Sequence, residues 1–169
     1  MKHIISNFVD PEDAKSFITF FENNDLLCSD PRDFHKERNL HYKDITDKKI
    51  KTLLIYYAHK NKFFIDHYFK TKTDLWNDMR LCRWKVGHSM PLHMDRQPEL
   101  NDTMDFSSLI YLNDNYSGGE LRFIENKKEV NYKMESLSCI IFPSDEGMHG
   151  VKEIKKGERY TIPSWYKKN

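Results

Sequence analysis

The sequence predicts an α+β fold in which N-terminal helices support a sandwich or jelly-roll-like barrel of short strands. In residues 1–79 apolar side chains recur with the 3.6-residue period of a helix, whereas in residues 80–166 they recur every second residue, as in strands. Gly, Pro, Asn and Asp residues divide the second part into short runs. At 169 residues the chain fits one domain, so we expect a single domain, 1–169.

Two helical segments are predicted in the first part. Asp10-Pro11 indicates a helix start, because Asp is favoured at the N-cap and Pro at the first helical position, and the helical period continues to about residue 24. A second start at Thr46-Asp47 opens one long or two shorter amphipathic helices that reach about Phe69. Residues 28–42 between them are polar and predict a loop that could hold a short strand.

The second part predicts six strands, because short runs rich in β-branched and aromatic residues alternate with turn-forming residues. The predicted strands are 81–86, 107–112, 120–124, 137–142, 149–154 and 159–165.

Composition excludes several classes of protein. The net charge of +1 gives no reason to expect a nucleic-acid partner or an anionic membrane. No window approaches the ~20 apolar residues of a membrane span, and the first residues lack the apolar stretch expected of a signal peptide. Cys28, Cys82 and Cys139 form no CxxC pattern and are expected to be reduced thiols. We therefore expect a cytoplasmic protein without membrane attachment.

The strongest chemical signal is an H-x-D pair, His93 and Asp95. Residues two apart in a strand point to the same face, so the imidazole and the carboxylate would enter one pocket. His149, at the start of a later predicted strand, supplies a second imidazole. Non-haem iron(II) oxygenases bind iron with two His and one carboxylate and leave the opposite face open. The sequence therefore predicts an iron site at His93, Asp95 and His149.

Arg159 follows the last of these residues by ten positions, in the next predicted strand. A dicarboxylate such as 2-oxoglutarate chelates iron through its keto-acid end, and its far carboxylate needs a cation. Arg suits that role because it is always charged and can bind a carboxylate with two hydrogen bonds. Thr161, on the same strand face, can add a hydroxyl donor.

A set of motifs between residues 81 and 165 resembles the prolyl 4-hydroxylase-like 2-oxoglutarate/Fe(II)-dependent dioxygenases. The motifs are His93-x-Asp95, Tyr111-Leu112-Asn113-Asp114, Ser117-Gly118-Gly119-Glu120-Leu121, Phe142-Pro143, His149 and Gly157-Glu158-Arg159-Tyr160-Thr161. The resemblance implies a double-stranded β-helix, a cupin-like jelly roll, as catalytic core over residues 80–166. It also implies Fe(II), O₂ and 2-oxoglutarate, which is converted to succinate and CO₂, with ascorbate as an optional cofactor.

The resemblance also implies roles for individual residues. His93, Asp95 and His149 would bind the metal, and Arg159 and Tyr111 would bind the distal carboxylate of 2-oxoglutarate. The aliphatic walls of the co-substrate slot would be Leu109, Leu121 and Val151. Trp165, six positions after the basic residue, would line the pocket for the target proline.

The sequence departs from the family pattern at positions that contact the substrate in that family. Met90 stands where the family usually has a second tyrosine that contacts substrate, and Met104 stands where proline-directed members have an arginine. Arg96 or Arg83 could supply that guanidinium instead. Residues 96–105 are also expected to form a mobile loop over the substrate.

These departures leave alternatives open. A prolyl or other residue of a peptide or protein is the leading substrate, and a free amino acid or other small molecule is the second. A nucleobase demethylase is disfavoured, because Trp165 occupies the position of the second arginine that such a family requires. A non-enzymatic binding module would not need the complete ligand set that is present, and a zinc hydrolase would leave Arg159 unexplained. The small size resembles bacterial and phage-encoded members.

Overall fold

The computed structural model describes residues 1–24, 38–96 and 104–169 of the chain. It contains two α-helices and twelve strands in the described residues. In chain order they are β1 (His3–Ile5), α1 (Pro11–Asn23), β2 (Arg38–His41), α2 (Lys48–Phe69), β3 (Thr73–Trp84), β4 (Met90–His93), β5 (Phe106–Tyr111), β6 (Ser117–Gly118), β7 (Leu121–Glu125), β8 (Lys128–Tyr132), β9 (Cys139–Pro143), β10 (His149–Val151), β11 (Ile154–Lys156) and β12 (Arg159–Lys168).

The strands form two larger antiparallel sheets and one small one. The first sheet has the order β1-β9-β5-β12-β3-β2, the second has the order β4-β10-β7-β8, and β11 pairs with β6. Neighbours in a sheet are mostly distant in the chain, which brings residues from far-apart motifs onto adjoining strands. One cavity is lined by side chains of both larger sheets.

The two helices begin where the sequence predicts. The Asp10 side chain accepts a hydrogen bond from the Glu12 amide at 2.9 Å, and Asp47 accepts one from the Ile50 amide at 2.9 Å. The second segment is one continuous helix of 22 residues that ends at Lys70 in the left-handed conformation. In the described part of the chain, neither helix offers a run that is apolar and long enough for a bilayer crossing.

A large apolar core joins the helices to the six-stranded sheet. Phe17 and Phe21 of α1 and Leu54 and Ile65 of α2 are buried in one cluster with Ile162 of β12. This layer holds the outer face of the sheet, so that the other face of β3, β5 and β12 can line a cavity.

The sheet begins earlier in the chain than the sequence predicted. Strand β3 starts at Thr73 rather than at residue 81, and β1 was not predicted, so the part before residue 80 also contributes strands. The short strand that the predicted loop 28–42 could hold is β2. Strand β8 was missed because its polar sequence, KEVNY, is largely solvent-exposed at a sheet edge. The predicted strand 149–154 is two short strands, β10 and β11.

Other predictions fall partly outside the described residues. Residues 25–37, including Cys28, and residues 97–103 of the predicted mobile loop lie there. Cys82 and Cys139 are both buried, and neither forms a disulfide with another described residue.

Candidate metal centre and cleft

Three predicted ligands converge at one end of the cavity. His93, Asp95 and His149 place one ligand atom each within 4.8 Å of one another. His93 Nε2 lies 3.3 Å from Asp95 Oδ1, and His149 Nε2 lies 3.5 Å from Asp95 Oδ2. Ligand atoms about 2.1 Å from a common ion and at right angles would be about 3 Å apart, so this donor set fits one metal ion.

Strand pairing brings the two histidines together. Strand β10 pairs antiparallel with β4, and His149 lies directly opposite His93, with ring centroids 4.5 Å apart. The backbones are close because Gly150 has no side chain: a Cβ there would lie 2.7 Å from the Met90 carbonyl oxygen and 2.8 Å from the Pro91 carbonyl oxygen. The glycine thus sets the separation of the imidazoles.

Gly150→Ala is expected to weaken metal binding without removing a ligand. The methyl group would push β4 away from β10, and a misplacement of even ~1 Å is enough to impair a preorganised site. Titration of the variant with Mn(II) should show at least about tenfold lower affinity than the wild type. Gly87→Ala is the matched control, because nothing lies within 4 Å of a Cβ at that glycine, although its positive φ adds backbone strain. Equal metal affinity in the Gly150 variant and the wild type would contradict this role.

Asp95 lies just beyond the end of β4 and is positioned by side chains of the other sheet. The structure has β4 end at His93, so strand alternation alone does not place the carboxylate. Ser107 Oγ donates to Asp95 Oδ2 at 2.6 Å, and Ser107 in turn shares a 2.8 Å hydrogen bond with Ser144. Burial alone would raise the pKa of Asp95, but hydrogen bonds to His149 and His93 hold that pKa well below its usual range. The carboxylate is therefore held in its anionic, ligating form.

Ser107→Ala is expected to lower metal affinity by about 10- to 100-fold, the usual effect of removing a hydrogen bond to a metal ligand. The hydroxyl fixes the Asp95 carboxylate, and alanine leaves that oxygen without its donor in a largely buried site. Titration calorimetry with Mn(II) measures the change. Ser136→Ala serves as control, because Ser136 makes its hydrogen bond to a distant backbone carbonyl, that of Leu112. An affinity as high as that of the wild type would remove Ser107 from this role.

The outer nitrogens of the two imidazoles differ in environment. His93 Nδ1 lies 3.0 Å from the Pro91 carbonyl oxygen, to which a protonated Nδ1 can donate, and that tautomer would leave Nε2 as the ligand atom when a metal ion is bound. His149 is buried between Phe142 and Phe123, with ring centroids 5.1 and 5.4 Å away. Both Nε2 atoms face the same carboxylate.

The cleft has a volume of about 350 Å³ and is lined by β3, β5 and β12 on one side and by β4, β7 and β10 on the other. Its surface is mostly apolar, with the metal centre at one part and a buried guanidinium at another. The lining residues include Arg80, Cys82, Trp84, Met90, His93, Met94, Asp95, Met104, Ser107, Leu109, Leu121, Phe142, His149, Val151, Arg159, Thr161, Pro163 and Trp165.

Arg159 is completely buried inside this cleft, with 0% of its surface exposed. Its Nη2 donates to Tyr111 Oη at 3.0 Å, and its guanidinium carbon lies 5.1 Å from the Trp84 ring centroid and 4.8 Å from that of Tyr111. Burial raises the pKa of Tyr116 to about 12, and the positive charge of Arg159 opposes that rise. Arg159 Nε and Nη1 have no hydrogen-bond partner among the described residues.

A buried cation with two unsatisfied donors is a site for an anion. Burying an unpaired charge is costly, and a carboxylate can accept both donors at once. The residues of this chain therefore fit a ligand that has one carboxylate near Arg159 and a chelating end near His93, Asp95 and His149, as 2-oxoglutarate has.

The remaining predicted residues are distributed as follows. Leu109, Leu121, Val151 and Thr161 line the cleft, and so do Trp165, Met90 and Met104. Arg96 is not among the lining residues, because its Nη1 lies 3.3 Å from Asp105 Oδ1 and 3.6 Å from Asp145 Oδ2. Arg83 is buried, with its guanidinium carbon 5.5 Å from the Phe21 ring centroid, on the helix side of the sheet.

Several site residues were not identified from the sequence, among them Arg80, Cys82, Ser107 and Tyr116. The first three follow the period of two in strands whose other residues were identified, since Arg80, Cys82 and Trp84 alternate in β3 and Ser107 precedes Leu109 in β5. Tyr116 lies in the loop before the Gly-Gly pair, where no periodicity indicates its direction.

The comparisons with known proteins establish the family. The model of the 2OG-Fe(II) oxygenase superfamily matches residues 79–167. Because this match covers more than half of the chain, the chain belongs to the 2OG-Fe(II) oxygenase superfamily. Enzymes of this superfamily use Fe(II), 2-oxoglutarate and O₂, so the prediction of these cofactors is confirmed at the level of the family, and ascorbate stays a prediction.

Individual relatives agree with this assignment. A PKHD-type hydroxylase of Prochlorococcus marinus (strain NATL1A) is 35% identical over 82 residues, which are 47% of this chain and 37% of that protein. The chain thus spans only about a third of the length of such curated relatives.

Two solved structures share the fold over nearly the whole chain. A Pseudomonas putida prolyl-4-hydroxylase superposes with a TM-score of 0.80 at 15% identity and covers 99% of this chain and 92% of its own. A prolyl hydroxylase in complex with a hypoxia inducible factor oxygen degradation domain peptide fragment, from Trichoplax adhaerens, gives 0.75 at 18% identity and covers 98% and 83%. These likenesses confirm the predicted α+β fold with a jelly-roll core.

Proposed function

We propose that this chain is a Fe(II)- and 2-oxoglutarate-dependent dioxygenase that hydroxylates a prolyl residue of a peptide or protein. The observation that carries the proposal is one cleft with two His and one carboxylate at one part and a buried, incompletely paired Arg159 at another. Family membership supports the chemistry, and the prolyl hydroxylases among the relatives support the substrate class.

Each residue of the site has a specific task in this proposal. His93, Asp95 and His149 hold the iron, which supplies O₂ activation and the oxidative decarboxylation of 2-oxoglutarate to succinate and CO₂, coupled to hydroxylation of the substrate. Arg159 binds the distal carboxylate with its two open donors, Nε and Nη1. Tyr111 holds the guanidinium in place through its phenol.

The apolar walls of the cleft protect this chemistry from solvent. Leu109, Leu121 and Val151 line the same cleft and give it aliphatic surface that does not hydrogen-bond competing water. Thr161 is almost fully buried two residues after Arg159 on the same strand face, so its hydroxyl can donate to a ligand in the slot.

Recognition of proline has partial support from the cleft. Trp165 lines the cavity at the position that the prolyl-hydroxylase resemblance assigns to the target-proline pocket. Met90 and Met104 also line it, in place of the tyrosine and arginine of proline-directed members. A flat apolar ring such as proline fits a pocket of one tryptophan and several methionines.

The proposal is tested by incubating the chain with Fe(II), ascorbate, 2-oxoglutarate and a set of proline-containing peptides, followed by mass spectrometry. We expect succinate formation together with the gain of one oxygen atom on a prolyl residue, and neither product in Asp95→Ala. Succinate formation with a small molecule, and no oxygen gain on any peptide, would reject the peptide substrate and keep the oxygenase.

A small-molecule substrate such as a free amino acid is the second candidate, and one observation favours it. Three methionines line the cleft: Met90, Met94 and Met104. They make the cleft more apolar than a surface that forms hydrogen bonds with a peptide backbone. Stimulation of succinate formation by individual metabolites, compared with the peptide set, distinguishes the two candidates.

A further inference from the structure

One of the methionines that line the cleft lies in the chain between two of the metal-binding residues. Met94 stands between His93 and Asp95, lines the cleft and is 38% exposed. Met148 is also 38% exposed and also precedes a metal-binding residue, His149, but it is not among the described residues that line the cleft. The chain thus has two methionines of equal exposure, one inside the cleft and one outside it.

Covalent geometry keeps the Met94 thioether close to the metal centre. Consecutive Cα atoms are about 3.8 Å apart, and the side chains on both sides of Met94 place ligand atoms within 4.8 Å of one another. Strand β4 ends at His93, so the alternation of a strand does not turn Met94 away from the side on which His93 lies. The unbranched methionine side chain has three rotatable bonds, which let its sulfur reach into the open part of the cleft.

The chemistry of the lining residues singles out a thioether as an acceptor of oxygen. A thioether sulfur takes up one oxygen atom to form a sulfoxide, whereas the aliphatic residues offer only C–H bonds. The thiol of Cys82 is 3% exposed and lies 2.8 Å from Asn39 Oδ1. Met90 is partly buried and packs against a cluster of buried residues, and Met104 is nine positions beyond the H-x-D pair. Met94 is therefore the thioether that combines exposure with a position next to the ligands.

We propose that Met94 is a site of self-modification, to which the enzyme transfers an oxygen atom when no substrate occupies the cleft. This inference rests on the proposed function. One molecule of O₂ is consumed: one oxygen atom goes to the Met94 sulfur and the other into succinate, while 2-oxoglutarate loses CO₂. The sulfur and 2-oxoglutarate each lose two electrons, which together reduce O₂ by four, so no further reductant is needed. The product, methionine sulfoxide, leaves a polar group beside the metal ligands and is reduced again by methionine sulfoxide reductases.

The test uses the full chain with Fe(II), 2-oxoglutarate and O₂ labelled with the heavy oxygen isotope. Peptide is left out, and so is ascorbate, which would supply electrons in place of the sulfur. After digestion, mass spectrometry locates the heavy atom along the chain, and succinate is measured in the same sample. We expect the heavy atom on Met94 to increase with succinate and to exceed that on Met148 by at least about tenfold, because proximity to the metal centre favours the residue in the cleft. Samples without 2-oxoglutarate, or with Zn(II) in place of Fe(II), should show no heavy atom on Met94.

Met148 is the matched control, because an oxidant that escapes into solvent would reach two thioethers of equal exposure alike. Hydrogen peroxide added to the metal-free chain gives the reference for such unselective oxidation, and there we expect the two residues to be oxidised within about twofold of each other. Treatment with methionine sulfoxide reductases should remove the heavy atom from Met94, which distinguishes a sulfoxide from hydroxylation of a carbon.

Equal labelling of Met94 and Met148 would overturn the inference, and so would labelling of Met90 or Met104 with none on Met94. Succinate formation with no heavy atom on Met94 would also reject it, while leaving the dioxygenase proposal intact. A lack of succinate both with and without the peptide set would reject the proposed function and, with it, this inference.

Discussion

Asp95→Ala is expected to abolish Fe(II)-dependent turnover of 2-oxoglutarate. Asp95 supplies the one anionic donor of the site, and its two oxygens face the Nε2 atoms of His93 and His149 at 3.3 and 3.5 Å. Two imidazoles alone bind iron(II) with neither the charge nor the three-point geometry of the full set. Metal affinity should fall by more than the ~10–100-fold that follows loss of a supporting hydrogen bond. Titration with Mn(II) and measurement of succinate formation check both effects.

The controls separate loss of the ligand from loss of the fold. Asp44→Ala removes an exposed acid from the turn before α2 and should leave metal binding as in the wild type. The thermal transition of metal-free Asp95→Ala should stay close to that of the metal-free wild type, because β4 and β10 remain paired through their backbones. Full turnover in the alanine variant would show that Asp95 is not a metal ligand.

The elements that local sequence rules determine were the ones predicted well. Asp10-Pro11 and Asp47 mark the helix starts because capping is a contact between a side chain and amides two or three residues away. Strands β5, β9 and β12 were found because each lies inside the six-stranded sheet and is largely buried itself, which gives it a strong apolar pattern. Neither inference needs knowledge of the tertiary fold.

The edge strands were missed for the opposite reason. β1 has three residues and β8 is mostly polar, so neither carries a period that can be recognised. Both form because a neighbouring strand, β9 or β7, offers unpaired backbone groups. These two strands form only because they pair with strands that are distant in the chain, and the local sequence does not indicate that pairing.

The candidate site shows the same division. Residue types and their order identify His93, Asp95, His149 and Arg159, because few side chains can do the chemistry. Ser107 depends on strand register instead, since serine is common and only its position across from the Asp95 carboxylate distinguishes it. Arg80 likewise is recognised as a lining residue of the cleft only from its contact with Trp165 of β12.

Arg159→Met is expected to raise the 2-oxoglutarate concentration needed for half-maximal turnover by a factor between about a hundred and several thousand. Loss of one partner from a buried charge pair costs about 3–5 kcal/mol, which corresponds to that range. Methionine keeps the volume and apolar contacts of the stem against Trp84 but removes the donors that would bind the carboxylate. Succinate formation measured against 2-oxoglutarate concentration gives the shift, and direct titration of the Zn(II)-loaded protein gives the affinity without turnover.

Tyr111→Phe separates direct binding by the guanidinium from its support. The substitution removes the phenol that accepts from Arg159 Nη2 at 3.0 Å and keeps the ring that lies 4.8 Å from the guanidinium carbon. Since a hydrogen bond to a charged group contributes about 1.5–3 kcal/mol and the charge of Arg159 itself remains, the requirement for 2-oxoglutarate should rise by less than in Arg159→Met. If Arg159→Met shifted the requirement no further than Tyr111→Phe does, Arg159 would not be the group that binds the distal carboxylate. Its two open donors would then need another partner, because a fully buried guanidinium is stable only when an anion or acceptor satisfies it.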